Sequence, residues 1–294
     1  MNISMYTEFY KLLTLHGIAE AARLASESGF DSVEMLDIRG AWGMSRAPAI
    51  EARSLLEDKG LSVSCYSLAI DLIPFDKYGN IIGDCESAVE TAKRSAEAAS
   101  IMGSPYFHHT LVTNLRPDLH RPKPPYDAVF DTLVEAASKI AEVCNDMGLT
   151  VLYEPQGFYF NGVEGLGRLF DRLSARFSNV GICGDVANSL FVDVSAESIY
   201  NAFAKKIKHV HVKDYRITDH PDPETTPYVS RGGTYLYDCP IGAGVTDFRY
   251  CFETLKAAGY RGDVSFEILG DDRTILQAMD YVKKLILSTM EKPI

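Results

Sequence analysis

The sequence predicts a single (β/α)8 barrel with a long loop inserted after its seventh strand. Eight short apolar runs occur along the chain, amphipathic stretches lie between many of them, and 294 residues suit one such barrel. We expect the whole chain, residues 1–294, to form this one domain. The alternative is an open Rossmann-type sheet, but no G-x-G-x-x-G motif follows the first predicted strand.

The eight predicted strands are short and mostly continuously apolar, which is typical of parallel strands covered by helices. Several of them follow a turn that contains glycine. The runs are residues 3–6, 32–36, 61–66, 104–108, 149–154, 179–183, 207–212 and 262–267, and the sixth extends to Asp185.

Helical periodicity is clearest in residues 18–28, 87–102, 126–147 and 272–287. The second and third of these stretches end next to a glycine, which often stops a helix. Residues 215–245 interrupt the alternation of predicted strands and helices, since they contain several Pro and Gly residues and show no helical period. In compact domains, loops of this length usually bind ligands or cover a site.

The composition narrows the classes of function. The formal charge is −11, from 29 Lys and Arg against 40 Asp and Glu, which argues against generic nucleic-acid binding. No apolar run is long enough to span a bilayer, and no secretory signal is visible at the N-terminus. The six cysteines are scattered without a C-x-x-C pair, so we expect buried free thiols in a cytoplasmic protein.

Metal-ligand residue types collect at the ends of four consecutive predicted strands. Glu154 ends the fifth strand, Asp185 the sixth and Glu267 the eighth, and His211 lies near the end of the seventh. Active sites of (β/α)8 barrels lie at the carboxyl ends of the strands, so these side chains should share one rim. Three crowded carboxylates need a cation between them, and carboxylates with one imidazole suit Mn²⁺, Mg²⁺ or Co²⁺. The sequence therefore predicts a divalent-metal site.

These motifs, in this order, resemble the xylose isomerase-like superfamily of sugar isomerases and epimerases, with the tagatose/psicose 3-epimerase type as the nearest form. The resemblance covers nearly the whole chain. It is carried by residues 29–34 (GFDSVE), 153–155 (YEP), 184–185 (GD), 209–214 (HVHVKD), 241–248 (IGAGVTDF) and 266–267 (FE).

The resemblance implies one divalent cation held by Glu154, Asp185, His211 and Glu267, with Mn²⁺ expected and Mg²⁺, Co²⁺ or Zn²⁺ as alternatives. It also implies that Glu154 and Glu267 are the catalytic acid–base pair. One would remove the proton next to a carbonyl to give an enediolate, and return of the proton would complete epimerisation or isomerisation. The expected partner is a small carbohydrate (a ketose, sugar phosphate or sugar acid). Relatives of this type are commonly dimers or tetramers, which leaves a homo-oligomer open.

The candidate substrate-binding residues include several departures from the epimerases. Asn188 stands where they usually carry a His, and it can bind a hydroxyl group but cannot shuttle a proton. Their Arg six residues after the metal His is absent here, and Arg216 lies five residues after it. Gln156 occupies the position of a His in dehydroshikimate dehydratases. The full set is Glu34, His109, Gln156, Asn188, Lys213 and Arg216.

Three other functions are alternatives to the isomerase or epimerase. A lyase, either an inosose-type dehydratase or an enzyme that cleaves keto-glycosides or C-glycosides by β-elimination, would begin with the same proton removal. A sugar-sensing barrel without catalysis would have little need of the complete carboxylate pair. A DNA-repair endonuclease would need more metal-binding histidines than seven His residues supply, and a basic face.

Overall fold

A computed structural model describes residues 1–74, 76, 80–112, 126–268 and 270–290 of the chain. Its strands, in chain order, are β1 (Ile3–Met5), β2 (Ser32–Ile38), β3 (Ser62–Ala69), β4 (Tyr106–His109), β5 (Thr150–Tyr153), β6 (Val180–Asp185), β7 (Ile207–Val212), β8 (Asp214–Thr218), β9 (Tyr228–Val229), β10 (Tyr235–Cys239) and β11 (Val264–Phe266). All except β8, β9 and β10 pair in parallel and close into a barrel in the order β1-β11-β7-β6-β5-β4-β3-β2. This closure confirms the predicted (β/α)8 barrel.

The helices surround the barrel and bury one face each. They are α1 (Thr7–His16), α2 (Ile18–Glu27), α3 (Arg46–Glu57), α4 (Glu86–Ile101), α5 (Tyr126–Asp146), α6 (Gly162–Ser174), α7 (Ala196–Phe203), α8 (Phe248–Ala257) and α9 (Asp272–Thr289). In α2, Ala21, Ala22 and Ala25 are fully buried, while Arg23 pairs with Glu20 on the outer face. None of the helices in the described part of the chain is long and apolar enough to cross a membrane.

The barrel interior contains buried polar side chains that contact one another across the barrel. Ser4 Oγ lies 2.7 Å from Ser64 Oγ, and Glu34 Oε2 lies 2.7 Å from His209 Nε2. Each pair joins strands that are not neighbours in the barrel, so both contacts cross the interior. Because buried polar groups need partners, this packing fixes the side chains beneath the rim.

The segment after β7 corrects one prediction. The sequence predicts a loop over residues 215–245, but β8, β9 and β10 form a three-stranded antiparallel sheet in the order β8-β10-β9. We call it the insertion sheet. Its strands are short, and the Pro and Gly residues between them mask the period-2 pattern that would have revealed a sheet.

Candidate metal centre

Four ligand-type side chains meet at the carboxyl ends of four neighbouring barrel strands. Glu154 and Glu267 directly follow β5 and β11, Asp185 ends β6, and His211 lies one residue before the end of β7. One donor atom from each residue lies within 4.8 Å of the others. His211 Nδ1 is 2.8 Å from Glu154 Oε1 and 3.4 Å from Glu267 Oε2. The structure thus brings together the four residues that the sequence predicts as ligands.

Backbone geometry fixes the orientation of the Asp185 carboxylate. The pairing of β6 with β7 shifts register between Ile182 and Cys183, just before this residue. Irregularities of this kind re-aim side chains next to active sites. Asp185 Oδ1 then accepts backbone N–H groups from Ala187 at 2.8 Å and Asn188 at 2.5 Å. The second oxygen, Oδ2, is left facing the centre.

The crowding of buried carboxylates perturbs their protonation. Burial raises the pKa of Glu154 to about 7 despite the opposing effect of His211, and the charges of Glu267 and Asp185 add to the rise. Burial also raises the pKa of Asp185, although Lys213 counteracts it. Burial would raise the pKa of Glu267 too, but Lys213 and His211 outweigh it and lower the pKa to about 2. Positive charge between these groups therefore stabilises their ionised forms.

The imidazole of His211 has a carboxylate near each nitrogen. Burial opposes its protonation, but Cys183, Glu34 and Glu154 outweigh burial and raise the pKa of His211 well above its ordinary value. A metal ion binds the neutral imidazole and takes the place of one proton. The same carboxylates that favour a proton at Nδ1 would therefore favour a cation there.

The donor set fits a divalent cation. Asp185 Oδ2 and Glu267 Oε2 are buried and accept no hydrogen bond from any residue that the structure describes. Lys213 Nζ lies 3.2 Å from the first and 2.9 Å from the second, as a charge contact without hydrogen-bond geometry. Three carboxylates and an imidazole are the ligands that Mn²⁺, Mg²⁺ and Co²⁺ prefer, and Zn²⁺ accepts the same atoms. The centre could thus hold one such ion.

A buried layer of polar side chains supports His211 from behind. Glu34 is fully buried, and its Oε1 and Oε2 lie 3.0 and 3.2 Å from His211 Nε2. The same carboxylate contacts His209 Nε2 at 2.7 Å and accepts the Ser67 hydroxyl at 2.5 Å. The structure therefore places Glu34, a predicted substrate-binding residue, beneath the imidazole and away from solvent. Carboxylates in this position orient metal-binding histidines.

Two residues outside the predicted ligand set also contact the centre. The ring of Tyr6 stacks on His211 with centroids 4.9 Å apart. His108 Nε2 lies 3.5 Å from Glu154 Oε2, and His108 Nδ1 is 3.0 Å from Ser67 Oγ. Tyr6 is the last residue of the first predicted strand, which is the one local signal that could have identified it.

His109, Gln156 and Asn188, predicted to bind substrate, lie close to the centre. His109 and Gln156 line a small cavity that also contains Glu154. His109 is buried, donates from Nδ1 to the Thr110 carbonyl at 3.0 Å, and leaves Nε2 without a partner among the described residues. The Asn188 side-chain nitrogen is likewise buried and unpartnered within the described chain.

Arg216 lies away from the centre, unlike the other predicted substrate contacts. Its guanidinium sits over the ring of Tyr237, 4.5 Å from the centroid, and 3.3 Å from Asp222. Both contacts belong to the insertion sheet and its turn. Lys213, by contrast, faces the cavity beside Glu267.

A cavity of about 440 Å³ opens onto the centre beneath the insertion sheet. Glu267 is the ligand-type residue most accessible from this cavity. Its side chain is 25% exposed, whereas those of Glu154 and His211 are 3% and 1% exposed. The lining residues are Thr7, Lys213, Asp214, Tyr215, Tyr228, Asp238, Cys239, Pro240, Glu267, Ile268 and Thr274. Pockets of this volume accommodate small-molecule ligands.

Comparison with known proteins places this arrangement in a family. Residues 22–285 match the family described as xylose isomerase-like TIM barrel. Two curated relatives are inosose dehydratases. The protein from Geobacillus thermodenitrificans (strain NG80-2) is 26% identical over 136 residues, covering 45% of each chain. The protein from Bacillus velezensis (strain DSM 23117 / BGSC 10A6 / LMG 26770 / FZB42) is 25% identical over 174 residues, covering 58% of this chain and 57% of the relative. The chain therefore spans about half the length of the curated relatives it matches.

Solved structures share the fold at low sequence identity. A xylose isomerase-like TIM barrel protein from Mycobacterium smegmatis in complex with magnesium superposes with a TM-score of 0.73 at 17% identity, over 98% of this chain and 97% of that one. D-allulose 3-epimerase from Methylomonas sp. gives a TM-score of 0.69 at 15% identity, over 97% and 98% of the two chains.

Proposed function

Because the chain belongs to the xylose isomerase-like TIM barrel family, we propose that it is a divalent-metal-dependent isomerase or epimerase of a small polyhydroxy ketone. The reaction is the transfer of a proton next to the substrate carbonyl. The observation that carries this proposal is the cluster of Glu154, Asp185, His211 and Glu267 at the mouth of a ligand-sized cavity.

Glu154 and Glu267 have the positions that a proton-transferring pair needs. They follow β5 and β11, which are separated in the barrel by β6 and β7, and both carboxylates reach His211 Nδ1, at 2.8 and 3.4 Å. Two carboxylates that approach a substrate from different directions can remove a proton on one face and return it on the other. We assign the acid–base roles to this pair.

The remaining residues hold the pair and the substrate in place. A bound divalent cation would supply Lewis-acid stabilisation of the negative charge that develops on the substrate oxygens. Glu34 fixes the orientation of His211, and the backbone amides of Ala187 and Asn188 fix Asp185. Lys213 stays beside Glu267 and can contact a substrate hydroxyl from the cavity wall. We also assign substrate binding to His109, Gln156 and Asn188, which lie close to the centre.

A lyase is the second candidate. The curated relatives that support it are two inosose dehydratases, each matched over part of its length. A dehydratase removes the same proton but then expels a neighbouring hydroxyl group as water, so the two functions share Glu154 and Glu267. They differ in the product, and product analysis separates them.

Deuterium uptake from solvent tests the proposed proton transfer. The Mn²⁺-loaded protein is incubated in D₂O with D-fructose, D-psicose and scyllo-inosose, and products are identified by NMR and mass spectrometry. We expect deuterium next to the carbonyl of at least one substrate. Recovery of an isomer supports the isomerase or epimerase, and loss of water supports the dehydratase.

Substitutions of the two glutamates test whether deuterium exchange takes place at the metal centre. Glu154→Gln and Glu267→Gln should each slow exchange by about 10²–10⁴-fold, the usual contribution of a general acid or base. Glu142→Gln, on the exposed face of α5, is the matched control and should exchange at the wild-type rate. Exchange that is absent from every substrate, or unchanged in Glu154→Gln, contradicts the proposal.

A further inference from the structure

The insertion sheet forms one wall of the cavity over the metal centre. Tyr215, Tyr228 and Asp238 line the cavity from this sheet, whereas Lys213 and Glu267 line it from the barrel. The sheet continues directly from β7, the strand that carries His211, so its position relative to the centre is set by the barrel itself.

The strand register shows which side chains share the inner face. Asp238 of β10 is paired with Tyr215 of β8, and Leu236 of β10 is paired with Tyr228 of β9. Cross-strand partners lie on one face, and residues two apart on a strand share it. Tyr215, Ile217, Tyr228, Leu236 and Asp238 therefore share one face, and Tyr215, Tyr228 and Asp238 of this inner face line the cavity.

Aromatic packing holds Tyr228 in place at the edge of the cavity. Its ring packs edge-on against Phe191 at 5.4 Å and against Tyr215 at 6.0 Å. Phe191 lies in the short 3-10 helix Asn188–Val192 that follows Asp185. Tyr228 is nevertheless 38% exposed and lines the cavity, so part of its surface is available to a ligand.

Asp238 offers a carboxylate that the rest of the described chain does not use. Its side chain makes no hydrogen bond or ion pair with any other residue that the structure describes, and it is exposed at the cavity wall. A carboxylate has two acceptor oxygens and no donor, so it can accept hydrogen bonds from two adjacent hydroxyl groups of a ligand. Hydrogen bonds to an ionised acceptor are stronger than neutral ones.

The charges around the cavity disfavour an anionic ligand. Among the described lining residues, Asp214, Asp238 and Glu267 carry carboxylates, and Lys213 is the one cation. Lys213 is already occupied by Asp185 and Glu267. Arg216 lies on the outer face with Tyr237, and Arg231 donates to the Phe158 carbonyl. A phosphate or carboxylate at this end of the cavity would meet Asp238 without a free cation.

We propose that Tyr228 and Asp238 are the specificity-determining residues of the cavity, and that they select an uncharged polyhydroxylated substrate. The Tyr228 ring packs against the C–H face of the substrate, and Asp238 accepts hydrogen bonds from two adjacent hydroxyl groups far from the reacting carbon. A negative charge at that end is rejected because it lies against the Asp238 carboxylate. This inference rests on the proposed function for the location of the reacting carbon.

Binding measurements on the Mn²⁺-loaded protein test whether the cavity prefers uncharged ligands to anionic ones. Dissociation constants are measured by calorimetry for D-fructose, scyllo-inosose and myo-inositol, and for the anionic probes D-fructose 6-phosphate and D-glucuronate. We expect at least one neutral probe to bind, and every anionic probe to bind more weakly. Asp238→Asn should weaken the neutral probe by about tenfold, the scale of one charged hydrogen bond, and should strengthen D-fructose 6-phosphate.

Matched variants separate recognition from folding. Tyr228→Ala should weaken the neutral probe, and Tyr228→Phe should restore it because the ring is kept. Asp219→Asn removes an exposed carboxylate from the same insertion and should leave both dissociation constants unchanged. Thermal unfolding of each variant shows that the fold is retained.

Three results would contradict the selection of neutral ligands. They are no binding of any neutral probe, equal dissociation constants of anionic and neutral probes for wild type, and unchanged dissociation constants of both kinds of probe in Asp238→Asn. A protein that binds the neutral probe through Asp238 but gives no deuterium exchange would contradict the proposed function alone. Exchange that is unaffected by Asp238→Asn at low substrate concentration would contradict the present inference alone.

Discussion

Glu34 shows how one side chain connects the barrel interior to the metal centre. Its carboxylate lies between His209 and His211 and accepts the Ser67 hydroxyl, with no exposed surface of its own. A carboxylate on the far nitrogen fixes the orientation of an imidazole and makes its near nitrogen a better ligand. We therefore expect Glu34 to be a positioning residue for metal binding.

Glu34→Gln tests this role. The amide keeps the size of the side chain but loses the charge, so we expect Mn²⁺ affinity to fall by about 10–100-fold. Titration calorimetry measures the affinity, and Glu34→Asp should recover part of it. An unchanged dissociation constant in a folded Glu34→Gln protein would show that the side chain only packs.

Residue roles were predictable where a local pattern marks them. Glu154, Asp185 and Glu267 could be identified because each stands at or just beyond the end of an apolar run. Glu34 also lies in a predicted strand, but its contact with His211 depends on barrel closure placing β2 opposite β7. A sequence pattern carries no information about that contact, and for this reason the sequence alone predicts Glu34 only as a substrate contact.

At the level of elements, the buried carboxylate of Asp214 anchors the start of the insertion sheet to the turn that follows its last strand. Asp214 accepts backbone N–H groups from Tyr215 at 3.0 Å, Gly242 at 3.0 Å, Gly244 at 2.8 Å and Thr246 at 3.2 Å. A Cβ on Gly244 would lie 2.3 Å from Asp214 Oδ1, so only glycine allows this approach. The sequence predicts that this segment interrupts the strand–helix alternation. It does not predict a sheet there, since β9 has only two residues.

Asp214→Asn should loosen this anchor. An amide replaces one acceptor oxygen with a donor that faces backbone donors, so we expect a loss of about 2 kcal/mol in the free energy of unfolding. Chemical denaturation measures that loss, and limited proteolysis should cut within residues 215–245 sooner than in wild type. Asp219→Asn is the exposed control; equal stability of the two variants would contradict the anchoring role.

At the scale of the whole molecule, the alternation of strands and helices was enough to predict the barrel. Each βα unit is a local pattern, and eight of them in 294 residues leave few other ways to close a parallel sheet. The net charge of −11 comes from an excess of Asp and Glu, and three of these acids meet His211 at one rim of the barrel. The cavity chemistry could not be predicted, since it depends on how the insertion folds back over that rim.

The central claim is that Glu154, Asp185, His211 and Glu267 form one divalent-metal site, and Mn²⁺ titration tests it most directly. Wild type, Asp185→Asn and the exposed control Glu142→Gln are stripped with a chelator, and Mn²⁺ is added back in a calorimeter. We predict one ion per chain for wild type and for Glu142→Gln. Asp185→Asn should bind at least about 100-fold more weakly, since loss of a ligand exceeds the effect of losing its supporting residues. Equal Mn²⁺ affinity in wild type and Asp185→Asn would contradict the account.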